Sequence, residues 1–388
     1  CFGCEEMSLC PACGKRQRRV PGEKCIPCHT LIKKARREAL RAGAPKAQRI
    51  PSAAGAEEKR YTRTLDSKRY IITCAQNATP VHEGFLACLE VAAKHMGAEL
   101  VVVPLRYKNP TSVWSSRQET DDWWDSRLEK YLFNTRKKLN QNLVLAADVK
   151  IQPTASSPLS GFEALTGAES CIIAHPKMQL RLIPVPGGRY PKLLTTTGAC
   201  TRQNYTDSKA GKLGAFHHCL GAIVVEIVGK KFRPRQIEAH KVDGSFTDLD
   251  WHYTATTARK APRAKALAMG DTHVALTDPA VDRAHFGEGS MTEVLDPEVL
   301  VWHDVHDGYA GNPHHYGNPF IAQGKRRAKM GDLQKELEQT VAFVADRTGP
   351  RRKSVLVASN HNNIIARWIM STDWRQNPEN AAFYLETA

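Results

Sequence analysis

The alternation of apolar and polar positions predicts a β-α-β unit in the first third of the chain. Tyr70–Cys74 is an apolar run typical of a buried strand, and Val81–Met96 has the three-and-four spacing of an amphipathic helix. Thr79 is the predicted N-cap of this helix, and Gly97 follows its end. Another apolar run begins at Glu99. This order of elements indicates a parallel sheet.

Further apolar runs place the protein in the α/β class. In the middle of the chain these runs are Leu143–Ala147, Cys171–Ala174 and Ala222–Val228. Near the C-terminal end they are Ala266–Met269, Val299–Trp302 and Val355–Ala358. A helix is also predicted over Asp332–Arg347. The spacing of the later runs is typical of β-α-β connections.

Changes in composition predict four segments. Residues 1–45 are rich in Cys, Lys and Arg, and residues 46–68 form a linker rich in Ala, Gly, Pro and Ser. Residues 69–262 form a basic central α/β domain with parallel strands, whose role no motif reveals. The basic, proline-containing segment Ala258–Ala266 marks the boundary before a last domain, residues 263–388.

The charge balance points to a polyanionic partner. The 388 residues include 55 Lys and Arg against 40 Asp and Glu, a formal net charge of +15. Nucleic acid is the expected partner, with DNA favoured over RNA. No apolar run approaches the roughly 18 residues that a membrane span needs. We therefore expect a cytoplasmic protein with no membrane partner.

The cysteine spacing predicts a small N-terminal zinc module. Six of the 11 cysteines lie in the first 28 residues. The two paired sets are Cys10, Cys13, Cys25 and Cys28. Two such pairs can close the tetrahedral shell of one structural zinc, as in a zinc ribbon or finger. Cys1, Cys4 or His29 could replace one of these ligands.

Basic pairs around the zinc module are predicted to contact nucleic-acid phosphates. They are Arg18, Arg19, Lys33, Lys34, Arg36 and Arg37. Such contacts are largely independent of sequence. A protein partner that docks on the module is the alternative. In the central domain, Trp114, Trp123 and Trp124 could stack on bases or pack in the core.

Metal-ligand residues follow each of the last three apolar runs. Asp271 and His273, two apart on an extended segment, are expected to point the same way and to hold one cation. Asp304 can bridge two cations, and Asn360 can bind the second through its carbonyl oxygen. His361 could protonate the leaving oxygen. Because the carboxyl ends of strands converge at one sheet edge, we expect one cleft.

In these residues the chain resembles the calcineurin-like metallophosphoesterase superfamily. Its first motif, D-x-H, matches Asp271 and His273. The second, G-D-x-x-D/N, matches Asp304 and Asp307, and the third, G-N-H-D/E, matches Asn360 with the histidine that follows it. The resemblance implies the first part of an α/β phosphoesterase domain with two divalent cations of the Mn, Fe or Zn class. We assign the catalytic roles to His361 and Asp307.

Several departures from the superfamily pattern accompany this resemblance. His303 and Ser359 stand where glycine is usual, and Asn362 replaces an acidic residue. No histidine follows His361, so the two later histidine motifs of the superfamily are missing. We expect the domain to continue beyond Ala388. The alternative is a site completed by a nearby histidine, and the candidates are His306, His314 and His315.

Three functions remain open at this stage. The first is a metal-dependent nuclease, in which basic segments hold nucleic acid and the two-metal site cleaves it. The second is a phosphatase of proteins or small phosphoesters. The third is a non-catalytic DNA-binding protein with a degenerate phosphoesterase domain. The order of modules also resembles phosphoesterase-like proteins of tailed bacteriophages, for which the location would be the host cytoplasm.

Overall fold

The computed structural model describes residues 49–51, 60–107, 123–186, 191–315 and 317–388. The predicted zinc ligands and the basic pairs of residues 18–37 lie outside the described residues, so these assignments stay predictions. The chain divides into two compact units, Cys1–Arg259 and Lys260–Ala388. Among the described residues, no helix is long and apolar enough to cross a membrane.

The described part of the first unit is a mixed α/β structure. Its strands are β1 (Arg49–Pro51), β2 (Arg69–Gln76), β3 (Glu99–Leu105), β4 (Trp123–Asp125), β5 (Arg136–Asn140), β6 (Leu143–Ala146), β7 (Ser170–Ile173), β8 (Leu180–Ile183), β9 (Lys192–Thr196), β10 (Gly221–Val228), β11 (Lys231–Glu238), β12 (Phe246–Asp248), β13 (Trp251–Tyr253) and β14 (Ala258–Lys260). Its helices are α1 (Glu83–Met96) and α2 (Lys209–His217), with a 3₁₀ helix at Ser126–Tyr131.

Two larger sheets form the framework of this unit. One has the strand order β11-β10-β2-β3, in which β2 and β3 are parallel and are connected through α1. The other has the order β5-β6-β7-β9-β8, with β6, β7 and β9 parallel. The predicted parallel β-α-β unit is confirmed. Strands β12, β13 and β14 form a small sheet, and β1 pairs with β4.

Helix α1 begins later than the sequence predicts. Its N-cap is His82, whose Nδ1 accepts a hydrogen bond from the Phe85 amide at 3.1 Å. The predicted cap, Thr79, instead donates its hydroxyl to the carbonyl of Arg202 at 3.2 Å. The Thr79 hydroxyl therefore bonds to a residue distant in sequence and does not cap the helix. The end of α1 is as predicted, because Gly97 takes a left-handed conformation with φ 60°.

Trp123 and Trp124 lie in the hydrophobic core of the first unit, at 4% and 2% exposure. Trp124 packs with the buried Phe85 and Leu128 in one cluster. A ring that stacks on a nucleic-acid base must reach the surface. These two tryptophans therefore pack in the core, as the second of the two predicted roles requires. Trp114 lies outside the described residues.

The second unit is built on a parallel sheet of order β15 (Leu267–Asp271), β16 (Val299–His303) and β17 (Lys353–Leu356). Each of the last three apolar runs overlaps a strand, although β17 ends at Leu356, two residues before the predicted run Val355–Ala358 does. Its helices are α3 (Pro279–Phe286), α4 (Met291–Leu295), α5 (Pro319–Arg327), α6 (Leu333–Asp346), α7 (Ile364–Ser371) and α8 (Ala381–Thr387). Short 3₁₀ helices lie at Val274–Leu276, Pro313–His315, Trp374–Gln376 and Pro378–Asn380.

The central strand β16 carries the core of the second unit. Trp302 is fully buried, and its ring centroid lies 5.7 Å from those of Phe286 and Phe343. Its indole N–H donates to Ser354 Oγ at 2.9 Å, which ties β16 to β17. A second cluster contains Trp368, which is also fully buried. These contacts hold the sheet from whose edge the candidate metal-ligand residues project.

Candidate metal centre

The loops that follow β15 and β16 run side by side at the carboxyl edge of the sheet. The amides of residues 272–274 donate to the carbonyls of residues 303–305 at 2.8 to 3.2 Å. A β-bulge between Ala268 and Asp271 precedes this pairing. Hydrogen bonding between parallel strands normally stops where the strands end. Here it continues, so the two loops keep a fixed alignment with each other. The side chains of both loops are thereby held in one place.

His273, Asp307 and His361 form one group of possible metal ligands. One ligand atom from each lies within 4.8 Å of the other two. Nδ1 of His273 lies 2.8 Å from Asp307 Oδ1, and Nδ1 of His361 lies 4.0 Å from the same oxygen. The rings of His273 and His361 are 4.6 Å apart.

His273 Nδ1 fits the role of a metal ligand. It is buried, and its 2.8 Å approach to Asp307 lacks the alignment of a hydrogen bond, so it has no hydrogen-bond partner among the described residues. A buried polar atom left in this way costs free energy. An imidazole nitrogen and a carboxylate oxygen that converge without bonding each other suit a shared divalent cation.

Asp271, His303 and Asp304 form a second group, again with ligand atoms within 4.8 Å of one another. Nδ1 of His303 lies 2.8 Å from Asp271 Oδ1 and 3.4 Å from Asp304 Oδ2. Asp304 is buried, whereas Asp271 is exposed. The group therefore opens to solvent on the Asp271 side.

Asp304 connects the two groups. Its Oδ1 accepts a hydrogen bond from the backbone amide of His361 at 3.3 Å, while Oδ2 faces His303. Burial alone would raise the pKa of Asp304, but a hydrogen bond from Ser359, the His361 amide and the nearby His303 hold it below its usual value. The side chain is therefore a carboxylate at neutral pH. Asp304 is a ligand candidate of the second group and contacts the first through a backbone amide, so its role as a bridge between two cations stays a prediction.

The structure separates two residues that the sequence assigns to one cation. Asp271 falls in one group and His273 in the other. The alternation argument holds only for extended backbone, and His273 has φ 43°, in the left-handed region. Asp304 has φ 42°. Left-handed non-glycine residues cost on the order of 1–3 kcal/mol each and cluster at functional sites.

The sequence does not single out His303 as a ligand candidate. It presents Asn362 only as a departure from the superfamily motif, whereas the structure gives this residue a structural role. His303 entered only as a substitute for glycine, although its place at the end of β16 was a usable signal. Asn362 Oδ1 accepts from the His306 amide at 3.2 Å, and its Nδ2 donates to the Val357 carbonyl at 3.0 Å. Asn362 therefore ties two loops together.

The other candidates lie around these groups. Asn360 is exposed in the loop between β17 and α7, directly before His361, and its role as a ligand stays a prediction. His306 is buried near Thr340, with Nδ1 3.4 Å from the hydroxyl. Neither ligand group found among the described residues includes His306, His314 or His315.

The segment after Asp307 is held by a buried carboxylate on α6. Glu336 accepts the amides of Tyr309 and Ala310 at 3.0 and 2.9 Å. The buried Lys325 donates its ammonium to the carbonyl of Tyr309 at 2.6 Å. Together these side chains satisfy the backbone beside the candidate ligand Asp307.

We expect Glu336→Ala to loosen this segment. The substitution leaves two amide donors without their acceptor, which costs about 2–4 kcal/mol locally. In hydrogen exchange of the full chain, followed by mass spectrometry, peptides covering residues 304–312 should exchange about 30-fold faster or more. Glu338→Ala is the matched control, because Glu338 is exposed on the same helix and its carboxylate accepts a hydrogen bond from the side chain of Gln334. Equal exchange in both variants would contradict the role of Glu336.

The second unit is therefore an α/β unit whose parallel strands lead into two groups of possible metal-ligating side chains. No protein-family model matches the chain. The chain is similar to Protein A1 of Escherichia phage T5, at 27% identity over 96% of this chain and 72% of that protein. It also aligns with Vps29 of Chaetomium thermophilum at 9% identity over 50% of this chain and 100% of that chain, with a TM-score of 0.24, which does not establish a shared fold.

Proposed function

We propose that the protein is a metal-dependent phosphodiesterase that cleaves nucleic acid, with its catalytic site in residues 260–388. The observation that carries the proposal is the pair of ligand groups at the carboxyl ends of β15 and β16, connected through Asp304. Imidazole and carboxylate groups in this arrangement suit divalent cations of the Mn, Fe or Zn class. The similarity to a phage protein fits a phage phosphoesterase that acts in the host cytoplasm.

Two bound cations would supply a phosphate-binding site and a water of lowered pKa. The side chains of the chain divide the remaining work. Asp304 bridges the groups, His273 and Asp307 serve one of them, and Asp271 serves the other. Asn360, exposed beside the site, is proposed to complete the second group.

His361 is proposed as the proton donor to the leaving oxygen, with Asp307 as its partner. Nδ1 of His361 lies 2.8 Å from the backbone carbonyl of Asp307, to which it can donate a hydrogen bond. That bond assigns the proton to Nδ1 and leaves Nε2 directed elsewhere. The Asp307 carboxylate lies 4.0 Å from the same nitrogen.

The distribution of charge supports nucleic acid as the substrate. Residues 260–388 contain 15 Lys and Arg and 16 Asp and Glu, so the positive excess of the chain lies in residues 1–259. We propose that the first unit attracts the polyanion and that the second unit cleaves it. One zinc bound by the four N-terminal cysteines, with phosphate contacts from the neighbouring basic pairs, belongs to this proposal.

With Mn²⁺ present, the full chain is expected to cleave DNA, and a chelator should abolish the activity. Cleavage should weaken as salt rises, because phosphate contacts release counterions. DNA, RNA and p-nitrophenyl phosphate are compared at equal enzyme concentration by gel electrophoresis and absorbance. Hydrolysis of the monoester without cleavage of either nucleic acid would replace the proposal by a phosphatase. Salt-sensitive DNA binding without any hydrolysis would replace it by a DNA-binding protein.

A further inference from the structure

A cavity of about 340 Å³ lies directly beside the candidate metal centre. Two of its lining residues are Ala275, two positions after His273, and Tyr309, two positions after Asp307. Two residues of chain span at most about 7 Å, so the cavity wall begins next to the first ligand group. The other lining residues come from the segment between α5 and α6, which contains Lys329, and from the first turns of α6, which contain Lys335.

The two lysines of this cavity are available to a ligand. Both are exposed, and neither has an ion-pair partner among the described residues. The acidic side chains beside them have other partners. Glu336 accepts two backbone amides, and Asp332 caps α6 by accepting from the Lys335 amide at 2.9 Å. The carboxylates of Asp332 and Glu336 line the same cavity, but neither forms an ion pair with Lys329 or Lys335, so both ammonium groups remain able to contact phosphate oxygens.

The position of Lys329 is fixed by the end of α5. Its amide donates to the Arg326 carbonyl at 3.0 Å, and the Met330 amide donates to the Lys325 carbonyl at 2.9 Å. Lys329 itself has φ 55°, a left-handed conformation that ends the helix. The side chain thus leaves the backbone at a defined point beside the metal centre.

We propose that this cavity binds the phosphate next to the one that is cleaved, with Lys329 and Lys335 contacting its oxygens. The inference rests on the proposed function and specifies its substrate class as a polynucleotide. Lysine serves as a point charge toward phosphate, so two exposed lysines that line one cavity suit the oxygens of a single phosphate group. A small phosphodiester fills only the metal centre, whereas a polynucleotide strand fills both.

The test compares Lys329→Gln/Lys335→Gln with a control pair, Arg283→Gln/Lys353→Gln, in the full chain with Mn²⁺. The control removes two exposed cations that do not line the cavity. The substrates are a single-stranded DNA 40-mer and bis(p-nitrophenyl) phosphate. We expect kcat/KM on DNA to fall roughly tenfold or more, mainly through KM, and its salt dependence to weaken by about 0.7 per lost contact. Cleavage of the small diester should stay within about twofold, the scale of an ordinary surface substitution.

Three results would overturn the inference. Equal losses on both substrates would mean that the lysines support the fold or the metal centre. No loss on DNA, or a loss equal to that of the control pair, would mean that the cavity does not contact the substrate. If the wild type cleaves neither substrate, the proposed function fails, and DNA binding by fluorescence anisotropy decides the subsite. The proposed subsite stands if DNA binding by the lysine variant, but not by the control pair, depends less on salt than binding by the wild type. It fails if the salt dependence of binding is equal in the lysine variant and the wild type.

Discussion

Asp304→Asn is expected to reduce nucleic-acid cleavage by roughly a thousandfold or more, because the loss of several kcal/mol of transition-state stabilisation corresponds to that factor. Asp304 is the residue that contacts both ligand groups, through the His361 amide and beside His303. Asparagine keeps the shape and the acceptor oxygen but loses the charge. Asp271→Asn removes a charge, and His273→Ala an imidazole, from only one group, so each should cost less.

The measurement for Asp304 is the initial rate on DNA with Mn²⁺, together with the metal bound at equilibrium dialysis. Bound metal should fall further for Asp304→Asn than for either single-group variant. Asp346→Asn serves as the control, since its side chain is 80% exposed and lies on the far end of α6. Cleavage by Asp304→Asn at the wild-type rate would show that the two-metal interpretation of the site is wrong.

His361→Ala is expected to slow DNA cleavage by roughly a hundredfold or more while the protein keeps its metal, since general acid catalysis typically contributes that factor. The reason lies in the position of His361. Its Nδ1 can donate to the Asp307 carbonyl, so only Nε2 remains to transfer a proton. Loss of this ring removes the proposed proton donor without removing Asp304 or Asp307.

The leaving group separates a proton donor from a metal ligand. p-Nitrophenolate leaves without protonation, so His361→Ala should cleave bis(p-nitrophenyl) phosphate at close to the wild-type rate. His285→Ala is the matched control, because His285 is half-buried on α3, as His361 is in its own loop, and its Nδ1 hydrogen-bonds to the Val281 carbonyl of its own helix. Equal losses on both substrates, accompanied by loss of bound Mn²⁺, would make His361 a ligand.

The sequence by itself determined the strands and several helix ends of the second unit. The apolar runs between polar segments predict β15, β16 and β17 from local pattern, although only β16 has buried positions. Asp332 caps α6 through a bond to the Lys335 amide three residues away, a contact that local sequence encodes. The placement of metal-ligand residues after successive strands was visible for the same reason.

The tertiary structure decided which of these residues meet. His273 and Asp304 take left-handed conformations while the loops after β15 and β16 pair with each other, and that pairing joins residues about 30 positions apart. The alternation of side chains along a strand does not predict left-handed residues, because hydrogen bonds between distant parts of the chain maintain their conformation. Three other features depend in the same way on contacts between separate elements. They are the grouping of Asp271 with His303, the bond of Asn362 between two loops and the support that Glu336 gives to the segment after Asp307. Such contacts leave no periodic trace in the sequence, because each one is set by how the elements pack.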